Sequence, residues 1–267
     1  IIRGGTIDIT AKGDGLTSTD SGNASTGYVQ IEDGDVKIIA DKDGIQAANY
    51  IEISGGEIDI ITGGGSGKSV SGDLSAKSIK AENRILFTGG TFTINSADDG
   101  IHSDGFITFK GGAFTISTAD DGVHAESTLV VDNGEINITK SYEGLEASAI
   151  TINGGKSVVV GSDDAINVAG GSSSSSGGGG GRGPGGFGGA NSPNHLLQIN
   201  GGYLAVYSGG DGLDANGNIE INGGVIIVHG PEKGMNGVFD IGDGNSYYIV
   251  VNGGFLLAAG TADMAIT

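Results

Sequence analysis

The sequence contains no cysteine and no tryptophan, and only 3 prolines and 2 methionines among 267 residues. Without cysteine there is no disulfide framework and no thiolate metal site, and the redox compartment leaves no trace. Bases are scarce as well. The 13 Lys and Arg stand against 32 Asp and Glu, a formal net charge of −19. That excludes nucleic acid as a partner, since its phosphates need a basic footprint. Cations and neutral ligands remain, and an acidic polymer needs something to cancel the repulsion. No apolar run is long enough to span a membrane. No leader with a charged, an apolar and a small-residue region opens the chain. It begins in strand-like alternation at IIRGGTIDIT and stops at TADMAIT inside a repeat, so both ends read as trimmed. No stretch sustains a helical period, so almost no helix is expected. Phosphate-binding, HExxH and GxSxG motifs are missing too.

Glycine is what abounds, with 55 residues. It follows no Gly-X-Y period. The second glycine of each Gly-Gly pair, or its equivalent, serves as an anchor: Gly5, Gly34, Gly56, Gly90, Gly112, Gly134, Gly155, Gly202, Gly224 and Gly254. The shortest spacings cluster at about 22 residues, and longer gaps carry insertions. Two and four residues after an anchor stand apolar pairs such as Ile58 and Ile60, Phe92 and Ile94, and Phe114 and Ile116. Alternation of this kind means short strands with one buried face, and glycine supplies the turns between them. One coil cannot bury its own apolar face, but stacked coils can. The expected fold is all-β: a right-handed parallel β-helix of about ten coils in one domain, residues 1–267, its core about 45–50 Å long at the spacing of paired strands. Inserted loops are expected at 63–78, 170–194 (rich in Gly and Ser) and 235–246.

Nine residues past each anchor stand Asp14, Asp43, Gly65, Asp99, Asp121, Glu143, Asp164, Asp211, Lys233 and Asp263. The next position is glycine in seven coils, at Gly15, Gly44, Gly100, Gly122, Gly144, Gly212 and Gly234. Coil stacking turns this repeat into a ladder of carboxylates. Asp-Gly is ordinary turn chemistry, which explains one pair per coil. It does not explain a column of like charges about 4.8 Å apart, which repel by roughly 0.9 kcal/mol in water and several times that nearer the protein. Cations between coils would relieve the repulsion, and protonation or solvation are the competing explanations. Asp98, Asp120 and Asp163 double the acid, while His102, His124, Glu146, Asn167 and Asp214 form a neighbouring column. The densest cluster thus runs through Asp98, Asp99, Asp120, Asp121, Glu143, Glu146, Asp163 and Asp164, with Asp211 and Asp214 continuing the two columns. An all-oxygen, flexible set of this kind suits calcium, whereas zinc would ask for Cys or more His. Two stacked histidines on a polar edge read as solvated. Lys233 reads as a counter-ion between Asp211 and Asp263.

The turns DDGIHSDG, DDGVHAES, EGLEAS and GDGLDANG, with INGG and FTGG anchors, resemble the carbohydrate-binding β-helix family typified by a clostridial surface protein that binds cellulose and polygalacturonate. The resemblance spans nearly the whole chain. It implies a pectate-lyase-like fold and bound calcium on Asp98, Asp99, Asp120, Asp121, Glu143, Asp163, Asp164 and Asp211, with Glu146 and Asp214 added from the neighbouring column. Two functions follow. One is a non-catalytic polysaccharide binder, extracellular or on the cell surface, in which calcium bridges to uronates and Tyr142, Tyr203 and Tyr207 stack on sugar rings or merely fill surface. The other is a calcium-dependent uronan or pectate lyase, with Lys80, Lys233 or Arg84 as the base. A spacer or adhesin stalk is the third possibility.

Overall fold

The computed structural model describes residues 1–22, 25–70, 74–169, 192, 194–234, 236–243 and 246–261. Among them are 25 strands and no helix, and every strand pairing is parallel. The alternation read from the sequence is the cause. In Thr91–Ser96 the residues Phe92 and Ile94 point inward while Thr91 and Thr93 point out. Each strand pairs with its equivalent one coil on: Phe92 lies beside Phe114 and Phe114 beside Ile136. A coil has three strand positions. The first runs through Glu57–Thr62, Thr91–Ser96, Ala113–Thr118 and Lys156–Gly161. The second is short, as in Ile79–Ala81 and Ile101–Ser103. The third includes Arg84–Phe87 and Phe106–Phe109. Repeated coil by coil, these form three parallel ladders around one core, the parallel β-helix.

The core is a column of stacked like residues. Phe92 and Phe114 stack at 4.3 Å between ring centroids, and Phe87 and Phe109 at 5.0 Å. All four are at most 2% exposed. Such pairs add about 0.5–1.5 kcal/mol beyond the area they bury.

Glycine plays two distinct parts. All ten anchors take positive φ, from 77° at Gly155 to 129° at Gly34, which side chains resist. The glycines that follow a ladder acid, Gly15, Gly44, Gly100, Gly122, Gly144 and Gly212, do not. Gly144 is needed for space: a Cβ there would sit 2.1 Å from Val159 and 2.3 Å from the Ala165 carbonyl of the next coil. Gly144→Ala is therefore expected to cost about 1–3 kcal/mol through overpacking. Gly13→Ala meets nothing within 4 Å, so it should be neutral or slightly stabilising. Urea unfolding of both variants measures the difference, and equal midpoints would refute this account of the turns.

The insertion at 63–78, described except at 71–73, is anchored through Ser66 on the outer face of the first ladder. Ser66 accepts a hydrogen bond from Lys140 at its carbonyl, bonds the Ser117 hydroxyl at 2.8 Å and donates its N–H to Asn95 at 2.7 Å. The expected loop at 170–194 lies outside the described residues except for positions 192 and 194. The one at 235–246 is described except at 235, 244 and 245.

Candidate metal centre

The acidic edge is built by the turn between first and second strands together with the short second strand. Strand register fixes who stands above whom. Ile45, Ile79, Ile101, Val123, Leu145, Ile166, Leu213 and Phe239 form one column. Two residues before each of these lies the ladder: Asp43, Lys77, Asp99, Asp121, Glu143, Asp164, Asp211 and Gly237. One residue after each lies the neighbouring column: Gln46, Lys80, His102, His124, Glu146, Asn167, Asp214 and Asp240.

Two expected rungs are thereby corrected. The insertion in the third coil displaces the count, so Lys77 and not Gly65 occupies the rung. In the ninth coil Gly237 takes the place expected for Lys233, which is exposed and off the ladder. Gly234 likewise leaves the glycine column, where Val238 stands. Asp263 lies outside the described residues.

The ladder is knitted by the backbone. Ladder carboxylates accept the N–H of the ladder residue in the next coil: Lys77 to Asp43 at 2.8 Å, Asp121 to Asp99 at 3.2 Å and Glu143 to Asp121 at 3.2 Å. The same contact joins Asp211 to Asp164. An amide ladder exists too, at another turn. Asn153 donates to Asp132, and Asn200, Asn222 and Asn252 each donate to the Asn one coil back, all at 2.8 Å. Where only a turn needs stitching, this chain uses exposed amides. On the other edge it retains carboxylates and buries them: Asp99 is 2% and Asp121 1% exposed.

The two columns change character along the rod. Toward the N-terminus the acids have basic partners. The Lys77 ammonium pairs with both Asp98 and Asp99. Lys80 Nζ lies 3.8 Å from Asp43. His102 bridges Asp99 at 2.9 Å and Asp104 at 3.0 Å. Burial works to raise Asp99, but its bond to His102 and the charge of Lys77 hold it well below the usual carboxylate range. The histidines are therefore not the solvated pair the sequence suggested: His102 is buried, and the two rings meet edge to face at 4.9 Å.

Toward the C-terminus the bases run out. Asp164, Asp211 and Asp214 bring ligand oxygens within 4.8 Å of one another. Burial, then the charge of Asp214, pushes Asp164 up to about 9. Burial, then the charge of Asp240, pushes Asp214 up to about 8. Asp211 rises to about 6, chiefly by burial. The buried Asn167 donates to Glu143 at 2.8 Å, while its Oδ1 makes no hydrogen bond. In the middle, burial and the charges of Asp99, Glu146, Glu143 and Asp120 raise Asp121 well above its usual value.

The ten predicted acids thus lie on one edge, in three neighbourhoods: Asp98, Asp99 and Asp120; Asp121, Glu143 and Glu146; and Asp163, Asp164, Asp211 and Asp214. The tyrosines are spread out. Tyr203 and Tyr207 lie on one strand, Tyr203–Ser208, with Tyr207 exposed and tilted against His229 at 5.8 Å. Tyr142 is in the acidic turn, two coils away, and donates its N–H to Asp120 O at 2.8 Å. Sequence reading missed Lys77. The Ile79-Lys80-Ala81 segment, matching Ile45-Gln46-Ala47, carried the signal that would have placed it. It also missed a groove of ≈ 300 Å³ on the first ladder, lined by Thr91, Thr93, Thr115, Glu135, Asn137 and Lys156 among others.

Residues 1–122 match the sequence profile of a family described as carbohydrate-binding domain-containing protein. No curated protein matches the chain. Among solved structures, the polysaccharide lyase-like protein from C. thermocellum, a gadolinium derivative, is similar over 95% of this chain and 94% of its own, at 15% identity and a TM-score of 0.46. Over residues 1–122, somewhat under half of its length, the chain is thus similar to the carbohydrate-binding domain-containing proteins, in line with the resemblance read from the turns.

Proposed function

We propose that the protein binds polysaccharide without cleaving it, and that calcium on the acidic edge takes part. The reading extends to an extracellular or cell-surface protein acting on plant cell-wall polymers, cellulose or polygalacturonate. The observation that carries it is the C-terminal end of the double column. There, carboxylates with raised affinity for protons cluster, and among the described residues no cationic side chain pairs with them. Asn167 Oδ1, buried without a hydrogen-bond donor, adds a neutral oxygen in register with Asp214. An all-oxygen donor set of mixed charge fits calcium. Asp164, Asp211, Asp214 and Asn167 would hold the ion. When bound, it supplies positive charge at which a uronate carboxylate can dock on a chain of net charge −19. The polar groove, with the exposed Glu135–Lys156 pair at 2.5 Å, is the seat for a neutral glucan.

Binding is favoured over β-elimination by the state of the bases. A lyase needs one free to take a proton. Lys77 is pinned between Asp98 and Asp99, which hold its pKa above the ordinary lysine value despite burial. Lys80 faces Asp43, and Arg84 lies over the Tyr50 ring at 4.8 Å. Lys233 is away from the ladder.

Native electrophoresis through polygalacturonate, with calcium or with chelator, tests the reading. Retardation only with calcium is expected, reduced in Asp214→Asn. A cleared zone around the band would instead reveal a lyase. Unchanged mobility in both gels would remove the uronan and leave cellulose, assayed by sedimentation with the insoluble polymer.

A further inference from the structure

We propose a second, chemically different metal site in the middle of the rod, where His124 Nδ1, Asp121 and Glu146 hold a small transition ion such as zinc. The evidence is a contrast between two histidines in equivalent positions of adjacent coils. His102 makes two hydrogen bonds of ordinary length, 2.9 and 3.0 Å, to Asp99 and Asp104. His124 stands one coil on, yet its Nδ1 lies 3.5 Å from Asp121 Oδ2, 3.4 Å from Glu146 Oε2 and 4.0 Å from Asp99 Oδ2. These separations are long for charge-assisted hydrogen bonds. The two shorter ones, to Asp121 and Glu146, are close to the edge of a tetrahedron with metal–ligand bonds of about 2.0–2.1 Å, which is about 3.3–3.4 Å.

A second observation is independent of that geometry. Glu146 is 9% exposed, and its Oε2, the oxygen facing His124, is buried without a hydrogen-bond partner. A buried carboxylate oxygen is costly to leave unsatisfied, and an ion among these groups would satisfy it. The other ring nitrogen points outward along the same strand, with His124 Nε2 3.7 Å from Glu126 Oε1. At that separation no hydrogen bond joins them; with the ion bound, a small closure lets the Glu126 carboxylate accept the Nε2–H, the usual support of a ligating imidazole.

The donor set selects the ion. Cys and a second free His are absent here, but zinc also takes carboxylate oxygens, and one imidazole with two carboxylates close together suits a tetrahedral ion with short bonds, its fourth position left to water. Calcium prefers more numerous oxygens at longer distance, as the Asp164, Asp211 and Asp214 cluster offers. The site takes Asp121 and Glu146 out of the set read for calcium, shares no residue with the Asp164, Asp211 and Asp214 cluster, and does not depend on sugar binding.

The test is cobalt(II) titration of chelator-treated protein, followed by visible absorption, with zinc competition and equilibrium dialysis. One ion per chain with the intense absorption of tetrahedral cobalt is expected, displaced by zinc and not by calcium. His124→Asn should weaken uptake at least about 100-fold, and Glu126→Gln by about 10-fold, the usual cost of losing such a supporting group. Asp214→Asn should leave cobalt uptake unchanged. The wild-type spectrum decides without any variant: absence of uptake at sub-millimolar cobalt, or a weak octahedral spectrum, would overturn the proposal. So would uptake that His124→Asn leaves intact in protein that melts cooperatively.

Discussion

At pH 8.5, saturating calcium should raise the melting temperature of chelator-treated protein by roughly 8–16 °C, and at pH 5 by only a small fraction of that. The range follows from a ligand at about a thousandfold its dissociation constant, worth about 4 kcal/mol, in a chain whose midpoint moves about 2–4 °C per kcal/mol. The pH dependence follows from the carboxylates. Asp211, Asp214 and Asp164 are raised from 3.8 to about 6, 8 and 9. A group whose folded pKa is raised lends stability that is complete below its unfolded pKa. That stability is lost as pH climbs through the folded value. The metal-free protein should therefore weaken steadily from about pH 4 to about pH 9. Calcium must displace those protons, so it competes poorly at pH 5 and well at pH 8.5. Asp164→Asn should flatten the pH dependence and shrink the calcium effect, whereas Asp14→Asn, at the partly exposed first rung, should change neither much. Differential scanning calorimetry at the two pH values is the measurement. An equal calcium shift at pH 5 and pH 8.5 would refute the assignment of the ion to this cluster.

The fold was legible because a solenoid repeats its physics. Alternation at Phe92 and Ile94 recurs at Phe114 and Ile116, and glycine returns wherever the backbone needs positive φ. The acid ladder was legible for the same reason. What counting from the anchors could not supply was register through insertions. Residues 63–78 lengthen the third coil, so a fixed offset lands on Gly65 and passes over Lys77. The reason for the Asp-Gly pairs was also hidden. Their glycines avoid a clash with the next coil's carbonyl, a contact between residues far apart in sequence. Nor does a count of residue types separate an exposed stack of amides at Asn153, Asn200, Asn222 and Asn252 from a buried one of acids. Burial is a property of the packed turn.

Lys77→Met should be among the most damaging single substitutions at this edge, destabilising the protein by about 3–5 kcal/mol at neutral pH, the usual cost of leaving a buried ion pair with one partner. Its side chain is 16% exposed, against 8% for Asp98 and 2% for Asp99. Methionine conserves much of the volume, so the loss isolates the charge. Two rescues distinguish this from a packing defect. Adding Asp99→Asn removes the orphaned charge and should recover a large part of the stability. Calcium offers the second. Asp98, Asp99 and Asp120 bring their oxygens within 4.8 Å of one another, and Lys77 already holds the cation's place beside two of them. With the ammonium gone, Asp98 and Asp99 lose the lysine charge and His102 remains beside Asp99, so the cluster moves toward the acid-rich state of Asp164, Asp211 and Asp214. Lys77→Met should then bind one more calcium ion per chain than the parent, measured by equilibrium dialysis, and its melting temperature should respond more strongly to the ion. Unchanged stoichiometry would mean that Lys77 is a structural clamp and not a resident substitute for a metal. A gain of one ion would show why the edge changes character along the rod: where the chain provides its own cation, it needs none from solution.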